Sequence, residues 1–490
     1  MNKQFRKLSA LILAMFVVLF GFATYLQFFD VPALRANKYN VRELYENLGK
    51  PRGAIIVGDK SVAFSEKSND LYTYQRKYSE PDLYSTITGY FSVVTPAEKG
   101  IEAALNEELN GDSDAQWFSR FQNLLKDAPS GGSVVTTIDP DVQKAAYDAL
   151  GNRKGAAIAI EPSTGKILAM VSKPTYDPNL LATHSEKEAA ENYQKFAQGA
   201  GSSPLYNKTL AGLYAPGSIF KIITSSAAIE SGKFNSNTEV DAPNSYTLPG
   251  TSVEIYNANN KSCSGTGKQS LSDALKVSCN TAFAKIGVEL GATALINQAK
   301  AFGFGSEILV AGDSDTRAPM KAISSDLLTE SRSPDKVALA SFGQGEDLIT
   351  PLQAAMLSAG IANGGTVMQP YLVDKVLDSD ANEVMRTSPS VFSQAVSKET
   401  ANQVRDMMVS VSDANGTAPS MRINGIDVAV KTGTAEANVQ GTLNFWVTAF
   451  APAADPKIAV AVFLEDANPL SNPDAEIVSV AREMFLARLK

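Results

Sequence analysis

The stretch Tyr214-Ala215-Pro216-Gly217-Ser218-Ile219-Phe220-Lys221-Ile222-Ile223 decides how this chain is read. Pro216-Gly217 closes a loop, and a largely apolar helix is expected from Ser218 to Ile229. A serine in a first helical turn faces unpaired backbone N–H groups and the positive end of the helix dipole, which favour an alkoxide or oxyanion. Residues three apart share a helix face, so Lys221 lies beside Ser218. Between Phe220, Ile222 and Ile223 its ammonium can lose hydration, which brings its pKa toward that of a usable base. A capping serine and a lysine stem laid along apolar surface would give the same local pattern. Ser-x-x-Lys is also common: about two chance occurrences are expected at average composition, and three are present. Ser163–Lys166 falls in a hairpin turn, and Ser333–Lys336 encloses Pro334 in a polar loop.

Two further cassettes shift the balance toward chemistry. Ser278-Cys279-Asn280 falls in or at the end of a helix expected over Ser270–Gly287, and its polar pair can relay a proton and hold a substrate amide. Helix-end Ser and Asn residues satisfying backbone groups would look the same in isolation. Lys431-Thr432-Gly433 follows the alternating strand Ile426-Asp427-Val428-Ala429-Val430. It is expected only about 0.1 times by chance. Lys431 supplies a positive charge, Thr432 and Thr434 supply hydroxyls, and Gly433 clears space where a ligand backbone can approach a strand edge. The chain has one histidine, His184, so a base other than histidine suits its composition.

The 490 residues suggest two or three domains of ordinary globular composition. Net charge is −8, and Lys3, Arg6 and Lys7 place three positive charges ahead of the remainder. So acidic a remainder argues against nucleic acid as a partner. Leu8 to Phe29 is an uncharged run long enough to span a bilayer behind a basic flank, which predicts a cytoplasmic tail over 1–7, an anchor over 8–29 and an extracytoplasmic bulk. A cleaved signal peptide shares these features, but the run is longer than a usual signal core and lacks a small-x-small end. Cys263 and Cys279 either pair, which that compartment permits, or stand as separate thiols.

Ser130-Gly131-Gly132-Ser133 reads as a flexible joint after a polar N-terminal region, followed by a strand over Val134–Ile138 and a helix capped by Asp139-Pro140 that runs to Leu150. A hairpin is expected over residues 155–172, helices dominate the middle, including Pro351–Ala362, and strands return at Ile426–Ala435, Asn444–Phe450 and Lys457–Leu464 before a last helix near Ala475–Leu489. This order predicts an α/β chain with one mixed sheet covered by helices.

With these motifs in place the chain resembles the penicillin-binding proteins. The resemblance extends to Pro174-Thr175-Tyr176-Asp177-Pro178-Asn179, Asn207-Lys208, Gly343-Gln344-Gly345, Thr350-Pro351-Leu352-Gln353, Ala362-Asn363-Gly364-Gly365 and Trp446. Arg52-Gly53-Ala54-Ile55 and Thr137-Ile138-Asp139 are similar to signatures of the class B, transpeptidase-only branch, and the length is most like the actinobacterial penicillin-binding protein A type. Two departures stand out: Val57-Gly58-Asp59-Lys60 replaces the usual Asp-Arg-Asn-Gly, and a cysteine occupies the middle of the second cassette.

The resemblance implies a central antiparallel sheet covered by helices over 151–490, an N-terminal elongated pedestal domain over 30–150, and no metal or cofactor. It implies a D,D-transpeptidase that crosslinks peptidoglycan stem peptides, is acylated by β-lactams, and works with cell wall synthesis or division proteins. Ser218 would be the nucleophile and Lys221 its base. Ser278 and Lys431 would protonate the leaving amine. Thr432, Gly433 and Thr434 would receive the substrate carboxylate and backbone, and Asn280 its amide. A D,D-carboxypeptidase shares the first half-reaction, and a largely scaffolding role for residues 30–150 is compatible with the same sequence.

Overall fold

Two large sheets, rather than one, organise the described residues, alongside four two-stranded pairs. The computed structural model describes residues 3–28, 49–94, 99–113, 116, 130–260, 262–313, 316, 318–326, 332–437, 439–471 and 473–490. The last anchor residue, Phe29, and the start of the expected pedestal, residues 30–48, lie outside the described residues. Lys3–Phe28 is a single helix, long and apolar enough to cross a membrane, with its apolar side chains facing outward.

The C-terminal sheet has five strands in the order Ala429–Glu436, Leu443–Ala451, Ile458–Ala467, Gly155–Ile160, Ile167–Lys173, every pair antiparallel. The antiparallel arrangement implied by the family resemblance is the one observed. Its three central strands are buried on both faces, so their sequences are near-continuous apolar runs. On one face pack the helices Pro140–Leu150 and Pro473–Arg488 through Val142, Ala146, Ile477, Ala481 and Phe485. On the other lies Pro351–Ala362, whose Thr350/Gln353 capping box fixes its start.

The mixed character belongs to a second, six-stranded sheet, ordered Glu383–Arg386, Val373–Leu377, Ser133–Thr136, Ile55–Val57, Lys60–Lys67, Tyr74–Tyr78. Only the pair Ile55–Val57 with Ser133–Thr136 is parallel. The expectation of one mixed sheet is therefore corrected: local strand signals cannot say which strands pair across hundreds of residues. The hairpin formed by residues 373–386 joins this N-terminal sheet, and the helix Pro140–Leu150, expected within the pedestal, packs on the C-terminal one.

The flexible joint is also corrected. Gly131 and Gly132 are buried, and their N–H groups donate to Pro51 O and Glu108 O at 2.9 and 3.0 Å. A Cβ on Gly131 would sit 1.7 Å from Leu109 O, so glycine here serves a close chain crossing rather than freedom. The departure at Val57-Gly58-Asp59-Lys60 forms a tight hairpin, with Val57 opposite Lys60 and Gly58 at φ +61°.

Candidate active site

The nucleophile cassette begins as a turn of 3₁₀-helix, Gly217–Phe220, and continues as the α-helix Lys221–Glu230. Gly217 has φ +54° and is wedged between two backbones. Its N–H donates to Gly343 O at 3.0 Å, a Cβ on Gly343 would lie 1.8 Å from Gly217 O, and a Cβ on Gly217 would lie 2.5 Å from Thr434 O. The Gly343-Gln344-Gly345 signature thus includes the back wall of the nucleophile turn. Trp446, opposite Gly433 in the sheet register, donates from Nε1 to Ala215 O at 2.9 Å and holds the segment that precedes the turn.

The helix expected over Ser270–Gly287 is two helices, Leu271–Lys276 and Asn280–Leu290. The break is the second cassette itself, with Ser278 at φ +57°. Left-handed backbone at a non-glycine residue is costly and persists only where the surroundings hold it. Cys279, at the helix N-cap, offers no side-chain cap; Asn257 supplies one instead, its Oδ1 accepting from Thr281 N at 3.0 Å. Cys279 is disulfide-bonded to Cys263. Neither Asn257 nor the left-handed serine carries a local sequence signal.

These elements converge on the Lys221 ammonium nitrogen. Lys221 Nζ lies 3.0 Å from Ser218 Oγ, 3.0 Å from Ser278 Oγ, 2.8 Å from Ser278 O and 2.7 Å from Asn280 Oδ1. Lys431 Nζ lies 3.0 Å from Ser278 Oγ and donates to Thr432 O at 2.8 Å. Four polar atoms from three distant segments therefore form one chain: Ser218 Oγ, Lys221 Nζ, Ser278 Oγ and Lys431 Nζ. Both lysines are fully buried, while Ser218, Ser278 and Asn280 are half-buried.

Burial sets the electrostatics. Desolvation, reinforced by the nearby Lys431 charge, pulls the Lys221 pKa well below its ordinary value. Desolvation lowers Lys431 to about 7, opposed by the charge of Asp474. Around Lys221 the Ser278 carbonyl and the Asn280 amide oxygen can only accept. They take two N–H bonds, and in the neutral amine the remaining lone pair can receive a hydroxyl proton.

Gly433 is needed for a reason beyond ligand approach. A Cβ there would lie 3.0 Å from Pro216 O and 3.2 Å from Ile219 N, so the strand edge is pressed against the nucleophile turn. Thr434 N lies 3.0 Å from a Cβ built on Gly217, close to Ser218. Asn280 donates from Nδ2 to Tyr256 O at 3.1 Å, and Thr432 Oγ1 lies 2.8 Å from Thr417 Oγ1. Thr417 carries no local sequence signal, since Gly416-Thr417 has the composition of an ordinary turn.

The other Ser-x-x-Lys pairs are spent elsewhere. Lys166 is ion-paired with Asp374 at 3.1 Å and Lys336 with Glu346 at 3.1 Å. His184 lies against Asp70, with its Nδ1 2.5 Å from the carboxylate, and packs against the Tyr72 ring at a tilt of 51°.

A serine, a desolvated lysine and a strand-edge Lys-Thr-Gly on this sheet form a candidate serine acyl-transfer site. The model of the penicillin binding protein transpeptidase domain matches residues 155–485, and that of the penicillin binding protein A dimerisation domain matches residues 52–135. The chain belongs to the penicillin-binding protein transpeptidase family.

Within that family it is similar to the peptidoglycan D,D-transpeptidase PbpA of Mycolicibacterium smegmatis, with 37% identity covering 95% of this chain and 94% of that protein. The Mycobacterium tuberculosis PbpA is 36% identical over the same shares. The solved ceftriaxone acyl-enzyme of M. tuberculosis penicillin-binding protein A superposes with a TM-score of 0.84 at 33% identity, covering 91% of this chain and all of that one. Its penicillin G acyl-enzyme gives 0.82 at 34%, covering 90% and 100%.

Proposed function

We propose that this chain is a membrane-anchored peptidoglycan D,D-transpeptidase that works through an acyl-enzyme on Ser218. The unbroken chain from Ser218 Oγ through Lys221 Nζ and Ser278 Oγ to Lys431 Nζ, each step 3.0 Å, carries the reading. Ser218 Oγ attacks the carbonyl of the penultimate D-alanine of a stem peptide, and neutral Lys221 accepts its proton. The backbone N–H groups of Ser218 and Thr434 stabilise the oxyanion. As the C–N bond breaks, the Ser278 hydroxyl gives a proton to the departing D-alanine amine and is resupplied through the lysines. An amine from a second stem peptide then attacks the ester, and Ser218 recovers its proton. Asn280 orients the donor amide, while Thr432, Gly433 and Thr434 accept its carboxylate and backbone. β-Lactams acylate Ser218 in the same way.

Lys3–Phe28 anchors the chain with its basic N-terminus cytoplasmic and the catalytic part outside. The N-terminal sheet is the surface offered to division or cell wall synthesis proteins. Intact-mass analysis of the full chain in detergent after benzylpenicillin tests the nucleophile. One adduct is expected on the parent chain and on Ser163→Ala, and none on Ser218→Ala. A persistent adduct on Ser218→Ala would overturn the assignment. With a stem-peptide acyl donor and an added amine, crosslinked product separates a transpeptidase from a carboxypeptidase, which yields only the hydrolysed donor.

A further inference from the structure

The proposed carboxylate-binding hydroxyl, Thr432, has a neighbour that the motif does not include. Thr417 sits in the loop between the helix Lys398–Ser410 and the strand Ala429–Glu436. The loop is folded tightly: Ala418 N donates to Val411 O at 3.1 Å and Gly416 N to Asp413 O at 2.9 Å. A Cβ on Gly416 would lie 2.1 Å from Val411 O, so only glycine lets the turn close. Asp413 is held by Lys276 and Arg422, each at 3.2 Å, and Lys276 is two residues before Ser278. Thr417 is thereby fixed against the strand with its hydroxyl 2.8 Å from that of Thr432.

A hydroxyl has one proton to donate and two lone pairs. A bound carboxylate only accepts, so Thr432 must point its proton at the anion. Its oxygen then offers only lone pairs to Thr417, which must be the donor of the pair. We propose that Thr417 is a positioning residue for the anionic acyl donor: it donates to Thr432 Oγ1, fixes the Thr432 proton toward the substrate carboxylate, and polarises that bond cooperatively. Without an anion, either hydroxyl can be the donor. The device therefore acts on carboxylate-bearing donors and discriminates against neutral ones. The inference rests on the assignment of Thr432 to the carboxylate.

An N-acyl-D-alanyl thioglycolate and its methyl ester, assayed by thiol release with the full chain in detergent, separate the possibilities. Both donors present the same thioester to Ser218 and differ only in the charge at the far end. The parent chain is expected to prefer the acid. Thr417→Val should lower kcat/KM for the acid about tenfold more than for the ester, the effect expected of one hydrogen bond in a charged chain, with the loss mainly in KM. Thr417→Ser should restore the preference. Equal losses for acid and ester in Thr417→Val, or no loss for either, would overturn the inference, provided Thr432→Val still removes the preference. If Thr432→Val keeps it, the carboxylate assignment fails and the inference falls with it.

Discussion

At the candidate site Lys221 and Lys431 are fully buried among hydroxyl, amide and carbonyl oxygens, whereas beside the N-terminal sheet Arg52 and Arg76 are buried around a carboxylate. Glu102 Oε2 lies 2.6 Å from Arg52 Nε and Glu102 Oε1 lies 2.7 Å from Arg76 Nε. Arg52 also donates to Asn110 Oδ1 and Asn106 Oδ1 and lies over the ring of Phe91. Tyr78 OH donates to Glu102 and accepts from Phe91 N. Burial pushes the Glu102 pKa up, but Arg76 and Arg52 outweigh it and hold the carboxyl below its ordinary value. The difference is instructive. A buried cation hydrogen-bonded to a carboxylate stays charged and fixes structure; one whose hydrogen bonds go to neutral oxygens, with a carboxylate acting only at longer range as Asp474 does on Lys431, sheds its proton more readily and is available as a base. Arginine, which keeps its charge, stands in the first cluster, and lysine, whose pKa moves, in the second.

That contrast is broken most forcefully at the base. Lys221→Met should slow benzylpenicillin acylation about 10²–10⁴-fold, the usual worth of a positioned base, while thermal stability holds or rises because the cost of stripping a lysine of its water and its proton is gone. A loss of activity accompanied by early unfolding would show that Lys221 is as structural as the arginines. Next in size, Glu102→Ala leaves two guanidiniums buried without their anion and should cost about 3–5 kcal/mol in urea unfolding. Replacing Arg52, Arg76 and Glu102 together by Met, Leu and Leu should cost less than the single change, since no charge is left unpaired. If the triple variant is the less stable, the cluster contributes net stability beyond its own desolvation.

The two clusters also differ in how far they could be read from the chain. Serine, lysine and Lys-Thr-Gly were legible because their chemistry is rare in combination, and Pro351–Ala362 because Thr350-Pro351 and Asn363-Gly364 punctuate it. The final strands and helix were legible from long apolar runs and periodicity. What escaped was set by distant contacts. The left-handed backbone at Ser278, which cuts an otherwise plausible helix, is held by Lys221, Asn257 and the bond from Cys279 to Cys263. Pairing of residues 373–377 with 133–136 has no local signal, and Gly131-Gly132 looks like a hinge until Gly53 and Leu109 are seen against it. Thr417 was invisible for the same reason: its role exists only through Thr432.

A finer test of the contrast uses pH and the second lysine. Lys431 is lowered to about 7 in the folded chain from an ordinary 10.5. Between those values the unfolded chain binds a proton that the folded one does not, so stability rises with pH through that window. The destabilisation is fully present below about 7 and is gone above the unfolded value. Lys431→Met should therefore gain most over the parent chain at and below pH 7, with the difference shrinking by up to about 1.4 kcal/mol per pH unit toward pH 10. Urea midpoints at pH 6, 7, 8 and 9 measure this directly, and a pH-independent difference would mean that Lys431 keeps its charge as Arg52 does. The same substitution removes the charge that helps hold Lys221 down, so the Lys221 pKa rises. The limb along which acylation increases with pH should then move to higher pH, even though the variant lacks the proton donor at the far end of the chain. An acid limb that stays where it is in the parent chain would show that the Lys431 charge does not reach Lys221, leaving Ser278 to connect them.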